Sequence, residues 1–313
     1  MAAGKVKETK ATTAKATTAK ATTTKAAPTK AAAAKPVAVK ATSAKAKPVK
    51  AETPVMAPVV AAPLSRTIKA EKADKANKAE KAEKRAEKKG MFKRAVEQAA
   101  SLGKTQLKEG EGFVQHLYPD YETYRKVQEE GNKAKLKAQF VKKTHIFFLA
   151  EWMKEQRAGG GKIDFGLCHG VRRGKEQMWF RKRLDRAEVI GTDISETATE
   201  FENTVQWDFH DENPAWEGRA DFVYSNSWDH AYDPHKAFRA WMKSLKPGGW
   251  LLIDHTSGQT PKTANALDPF GATLEATIRI LNEAGEGLGK VVADLDRMSD
   301  PDYAAHVIVF RRD

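Results

Sequence analysis

The chain has 313 residues, with 54 Lys or Arg against 41 Asp or Glu and a formal net charge of +13. It has no run of about eighteen apolar residues to span a bilayer, no apolar stretch of a secretory signal, and a single cysteine, Cys168, which excludes an internal disulfide and a Cys-rich zinc site. A cytoplasmic protein is expected, with no membrane span. The charge is uneven: 22 basic and 7 acidic residues stand before Met91, a balance of +15, and 32 and 34 follow, a balance of −2.

Residues 1–67 read as a disordered Lys-, Ala-, Thr- and Pro-rich arm and linker. A lysine recurs every fifth residue from Lys5 to Lys50, in units such as KATTA. Five residues turn a helix by about 500°, so these lysines share no face, and Thr with Pro28, Pro36 and Pro48 opposes a helix. The first ninety residues carry too few large apolar side chains to bury a core, and ETPVMAPVVAAPLS is an extended linker. Mobile lysines attach to nucleic acid or another polyanion without sequence readout, and this is the expected role of residues 1–90, with nucleoid or nucleus association as its cellular counterpart. A solubilising tail or an organelle address are the alternatives.

From Lys69 the rhythm changes to threes, KAEKADKANKAEKAEKRAEKK. Glu71 with Lys75, Asp74 with Lys78 and Glu80 with Lys84 are favourable i,i+4 pairs, which predicts a charged helical spacer over 68–110, interrupted at Gly90. Residues 111–313 are expected to form one domain with a helical lead-in over 111–158. There Tyr118, Tyr121 and Tyr124 recur at threes beside Pro119, and Ile146, Leu149, Ala150 and Met153 follow helical spacing and should cover the sheet.

The segment KIDFGLCHGVRRGKEQ, a helical stretch through Leu184 and the strand EVIGTD are the most informative part. They read as a buried strand ending in Asp164, a turn bearing Gly166 and Gly170, a helix, and a second strand ending in Asp193. Such a turn lets backbone approach a ligand, the helix N-terminus offers free N–H groups, and an acid about 20 residues on suits a ribose hydroxyl. The pattern is that of a nucleoside-cofactor site. The dinucleotide fingerprint starting at Gly166 would need glycine at 168 and 171, where Cys168 and Val171 stand, so NAD is disfavoured. The pattern D-x-G-x-G-x-G is met at Asp164, Gly166 and Gly170, with Cys168 in the middle glycine's place.

With TVQWDF, ADFVYSNSWDH, LKPGGWLLIDH and AAHVIVFRR following in order, residues 160–313 resemble the class I S-adenosylmethionine-dependent methyltransferases. The run from GLCHGVRRGKEQ to SNSWDHAYDP also resembles uncharacterised bacterial and phage methyltransferase-like proteins, which supplies no substrate. The resemblance implies a Rossmann-like α/β sandwich, with a mostly parallel seven-stranded sheet whose last strand is antiparallel, and S-adenosyl-L-methionine as cofactor. It places Asp164, Gly166 and Gly170, with Cys168 and His169 in the same turn, against the methionine part of the cofactor. It gives the ribose to Asp193 beside Ile194, puts Asp208 and Phe209 near the adenine, and sets Ser225 at the end of the fourth strand. It also implies that the lead-in covers the substrate side, the alternative being that its tyrosines pack against the sheet edge.

Methyl transfer needs an aligned nucleophile and exclusion of water, and a base only where the nucleophile must lose a proton. Ligands of an open α/β sheet lie at the carboxyl ends of strands, which makes His169, His210, Asp211, Asn226, Asp229, His230, Asp254 and His255 candidates. His230 is the leading base, for its near-neutral intrinsic pKa, with Asp229 and Asn226 beside it in the fourth-strand loop. No metal is expected, because no ligand pair among His210, Asp211, His230, Asp254 and His255 has a diagnostic spacing. Trp207, Trp216, Trp228 and Trp241 read as core or pocket wall, with Trp228 the one to touch substrate. The expected function is methyl transfer to a hydroxyl or amine of a small molecule or sugar, because the domain itself is not basic. The alternatives are a nucleic-acid or protein methyltransferase delivered by the arm, and a catalytically silent binding protein.

Overall fold

The computed structural model describes residues 64–102, 104–157 and 161–313; the lysine arm therefore lies outside the described residues. All elements below belong to the unit Ala62–Asp313. Helix α1 (Leu64–Leu102) runs straight through Gly90, against the expected interruption. A glycine costs about 1 kcal/mol inside a helix, and the last turns recover it by burying Ala95 and Ala99 against Val127 and Leu267.

The lead-in is not wholly helical. Strands β1 (Gln106–Gly110) and β2 (Phe113–Leu117) form a hairpin, because Gly110 and Gly112 around Glu111 supply a tight turn, Gly112 with φ of 75°. Helix α2 (Tyr121–Ala134) starts at Asp120, whose side chain accepts from Thr123 N at 2.7 Å. It buries Tyr124, Val127, Gln128, Gly131 and Asn132, one stripe at helical spacing that includes two amides. Helix α3 (Lys143–Gln156) buries Ile146, Leu149, Ala150 and Met153 as their spacing predicts.

Seven strands make the main sheet: β3 (Phe165–His169), β4 (Glu188–Asp193), β5 (Thr204–Gln206), β6 (Ala220–Ser225), β7 (Leu245–His255), β9 (Gly289–Asp296) and β10 (His306–Arg312). Between β7 and β9 the short β8 (Phe270–Ala272) pairs instead with β2. The order is β5-β4-β3-β6-β7-β10-β9, parallel up to β7, with β10 antiparallel to both its neighbours. Helix α4 (Lys175–Arg183) and α3 cover one face, with Ile146, Met153 and Phe180 packed on Val189, Phe222, Leu252 and Val307. Helices α5 (Pro234–Ser244) and α6 (Leu274–Ala284) cover the other, with Phe238, Trp241 and Ile280 among Leu167, Val223, Leu251 and Ile308. Both faces are buried, so the parallel strands read as apolar runs.

One correction falls on the first strand of this sheet. Asp164 precedes β3 rather than ending it, and Gly166 and Cys168 lie inside it, paired with Val189, Phe222, Gly191 and Tyr224. Gly166 serves packing: a Cβ there would stand 2.2 Å from the Phe222 ring. The turn that follows runs from Gly170 to Gly174, both at positive φ, 72° and 67°. Gly166→Ala is expected to destabilise the fold by about 1–3 kcal/mol through overpacking, read as a lower denaturant midpoint, while leaving ligand affinity per folded molecule unchanged.

Candidate functional site

The strand order reverses between β3 and β6, which opens a crevice at their carboxyl ends. Gly170, Asp193, Ile194, Asp208, Phe209 and Ser227 line it from the sheet side, and Tyr124, Gln128 and Asn132 of α2 from above. Asp193 Oδ2 accepts from Arg172 N at 2.9 Å, and Oδ1 from Asn132 Nδ2 at 2.7 Å and Ser195 N at 3.1 Å. Burial raises its pKa, and these donors oppose the rise. Asp208 Oδ1 meets His210 Nδ1 at 2.7 Å, and Oδ2 accepts from Tyr121 Oη at 2.8 Å. Burial is the largest single influence and would raise this carboxyl, but the bonds and charge of His210, joined by the Tyr121 hydroxyl, together hold the pKa below the ordinary value.

The polar groups of the crevice fit a nucleoside. Asn132 Nδ2 donates to Asp193 as a ribose hydroxyl can, and Gly170 is a close approach, since a Cβ there would meet Ser227 Cβ at 2.5 Å. The open volume does not yet fit: about 40 Å³ remains, room for a water, because α2 fills the rest.

Five of the ten sequence-derived cofactor residues stand on this crevice: Gly170, Asp193, Ile194, Asp208 and Phe209. Asp164 is exposed at the opposite, amino end of β3, its N–H donating to Asp221 Oδ2 at 2.8 Å, and Gly166 and Cys168 are enclosed in the sheet. His169 and Ser225 lie behind the crevice and brace it. His169 Nδ1 meets Thr192 Oγ1 at 2.8 Å, its ring stacks on Trp241, and burial lowers its pKa to about 3. Ser225 Oγ donates to His169 O and accepts from Ser227 N.

A second cavity of about 560 Å³ adjoins the crevice, and Asn226, Asp229 and His230 all line it. Thr256, Gln259, Asp268 and Tyr303 complete its floor, and Arg85, Lys89 and Phe92 of α1 its rim. Lys135, Arg172, Ser227 and His230 border both spaces. His230 Nδ1 faces two acceptors, Gln128 Oε1 at 2.8 Å and Leu267 O at 3.2 Å. The Gln128 amide is fixed in that sense because its Nε2 donates to Leu267 O at 2.9 Å. The ring hydrogen therefore sits on Nδ1 and a lone pair on Nε2, which lies 3.4 Å from Asp268 Oδ1. Burial, reinforced by Lys135, lowers the His230 pKa to about 4, so the ring is neutral at pH 7. Burial and then the charge of Asp268 push Asp229 up to about 8, so it is protonated there.

Asp229, His230 and Asp268 offer ligand atoms within 4.8 Å of one another, a cluster that shares only His230 with the set weighed in the sequence. The buried ammonium of Lys135 already stands 3.5 Å from Asp268 Oδ1. The other candidates are structural. Asp254 accepts from Tyr224 Oη at 2.6 Å and Tyr303 Oη at 2.9 Å and meets His145 at 2.9 Å, and His255 Nε2 donates to Ala272 O at 2.9 Å. Asp211 pairs with Lys236 at the surface. Trp228 is fully buried with its Nε1 donating to Asp254 O, which makes it core rather than a substrate contact. Gln128, Asn132, Lys135 and Asp268 were not read from the sequence, since polar residues in a lysine-rich helical stretch or a loop carry no periodic signal.

Residues 167–253 match the family model described as a methyltransferase domain. No curated protein matches the sequence. Among solved structures, the chain is similar to the Burkholderia thailandensis 1,6-didemethyltoxoflavin-N1-methyltransferase with bound 1,6-didemethyltoxoflavin and S-adenosylhomocysteine: 13% identity, 66% of this chain, 99% of that one, TM-score 0.42. The N-methyltransferase NodS from Bradyrhizobium japonicum, in complex with S-adenosylhomocysteine, has 15% identity over 59% of this chain and 98% of its own, TM-score 0.44. Likeness at this level carries no argument for what this chain binds. The matched model runs from β3 to β7, so the strands that build the crevice are the part of the chain that is similar to a methyltransferase domain.

Proposed function

We propose that the chain methylates a hydroxyl or amine of a small molecule or sugar seated in the 560 Å³ cavity, with S-adenosylmethionine in the adjoining crevice. The observation that carries this reading is His230, which borders both spaces and holds its ring hydrogen on Nδ1, leaving the Nε2 lone pair as the basic position. Asp193 would take the ribose hydroxyls, Asp208 and Phe209 the adenine end, and Gly170 the close backbone approach. When bound, the cofactor supplies an activated sulfonium methyl. His230 takes the acceptor's proton at Nε2, Asp229 in its protonated form donates a hydrogen bond to the acceptor, and the Asn226 amide orients it. For the cofactor to enter, α2 must withdraw, and the bonds of Asn132 to Asp193 and Tyr121 to Asp208 give way to the nucleoside.

A cavity of this volume lies in the range that holds small molecules. The lysine arm serves attachment to a polyanion, by the charge imbalance before Met91. A screen of hydroxylated and amino metabolites with methyl-labelled cofactor tests the acceptor class. Label in a small metabolite is the expected result. Label only in oligonucleotide or protein would replace this reading with a polymer methyltransferase, and no cofactor binding at all would leave a silent scaffold.

A further inference from the structure

A third cavity, of about 540 Å³, lies away from the crevice, between α4 and the turn before β5. Arg173, Lys175, Arg181, Lys182 and Arg186 line it, against one carboxylate, Glu202. That acid meets Arg181 at 3.3 Å, both partners being exposed, and such a pair holds little charge back from solvent. Lys175, Lys182 and Arg186 meet no carboxylate among the described residues. The domain's overall balance of −2 after Met91 therefore conceals a local concentration of positive charge.

A further feature points to a ligand. Met178 and Phe201 add apolar side chains to the lining within the basic ring. The nine residues of α4 rise about 13 Å, enough to track about two or three successive phosphates of an extended strand.

We propose that this groove binds the phosphodiester chain of single-stranded nucleic acid, the cations taking phosphates and Phe201 stacking on a base. An acidic peptide would use the charges but not the ring, and a duplex keeps its bases stacked inside, which is why a single strand is the occupant of choice. Arg173 lies both in the groove and at a small opening shared with Gly170, Arg172 and Ser227, so a strand on α4 passes beside the mouth of the crevice. The proposal does not depend on which acceptor is methylated.

Fluorescence anisotropy of a labelled oligothymidylate, titrated with the full chain at several salt concentrations, tests it. The triple variant Arg181→Glu, Lys182→Glu, Arg186→Glu should bind at least about tenfold more weakly near 0.1 M salt. Its slope of log affinity against log salt should be lower by about 2, three contacts at roughly 0.7 each. A control triple at exposed sites elsewhere, Lys262→Glu, Lys290→Glu, Arg311→Glu, changes net charge equally and should leave the slope unaltered. The lysine arm is present in every protein compared, so its contribution cancels. Phe201→Ala should weaken the single strand by about tenfold and leave a duplex of the same length unaffected. Equal losses in the two triples would overturn the proposal by showing that only net charge counts. An unchanged single-strand affinity in Phe201→Ala, or a groove effect seen with polyglutamate alone, would overturn it as well.

Discussion

Asp193→Ala should weaken S-adenosylmethionine binding to the full chain by roughly 2–3 kcal/mol, a loss of about 30- to 150-fold, when measured by calorimetry. The reason is that both carboxylate oxygens end β4 facing the crevice, one held by the backbone N–H of Arg172 and one by the Asn132 amide. Removing the carboxylate strands those donors as well as the ribose hydroxyls, so Asp193→Asn is the companion variant, keeping the shape while removing the charge. Asn132→Ala is the opposite control: it removes the group that competes for Asp193 Oδ1, and cofactor affinity should hold or rise. Unchanged affinity in Asp193→Ala would take the ribose away from this acid.

His230→Ala should lower turnover by about a hundredfold or more while leaving cofactor affinity within a few fold. Equal losses in both would mean that the ring only supports the loop against Gln128 and Leu267. The pH profile gives a second reading. With the native pKa lowered to about 4 from an ordinary 6.5, the base is free through the mildly acidic range, so the acid limb of kcat/KM should fall near pH 4. A limb at 6.5 would assign the proton to another group. For stability the two buried groups pull in opposite directions. His230 binds its proton more weakly folded than unfolded, so its contribution to stability grows as pH rises from about 4 to 6.5. Asp229 binds its proton more tightly folded, from an ordinary 3.8 up to about 8, so its contribution falls over that span.

Much of the fold was legible because its signals are periodic or terminal. The apolar runs of β6 and β7 and the helical spacing of Ile146 to Met153 follow from burial on both faces of the sheet, and the acid closing β4 stands out because it ends such a run. The first turn was misread by one motif's length. Asp164, Gly166 and Gly170 satisfy a spacing, yet Gly166 is small to admit the Phe222 ring, and the ligand-side turn starts only at Gly170. A spacing alone cannot distinguish a glycine that clears room for a side chain from one that clears room for a ligand. Asn226, Asp229 and His230, singled out in the loop after β6, line one cavity. Lys135 and Asp268 escaped because their pairing joins positions far apart in the chain, and only the packing of α2 against the loop after β7 brings them together.

The helix over the crevice also sets how cofactor binding will behave in time. In the proposed seating Asn132, Tyr124 and Gln128 stand where the nucleoside would lie, so only molecules with α2 withdrawn would be competent, and the apparent affinity would be the intrinsic one multiplied by that open fraction. Association then has a ceiling: at high cofactor concentration the observed rate levels off at the rate of helix withdrawal rather than rising without limit. Substitutions on the buried stripe of α2 that touch no ligand become tuning positions for both quantities, and at Gly131 an added Cβ, 2.1 Å from Leu267, would press the helix away from the loop after β7.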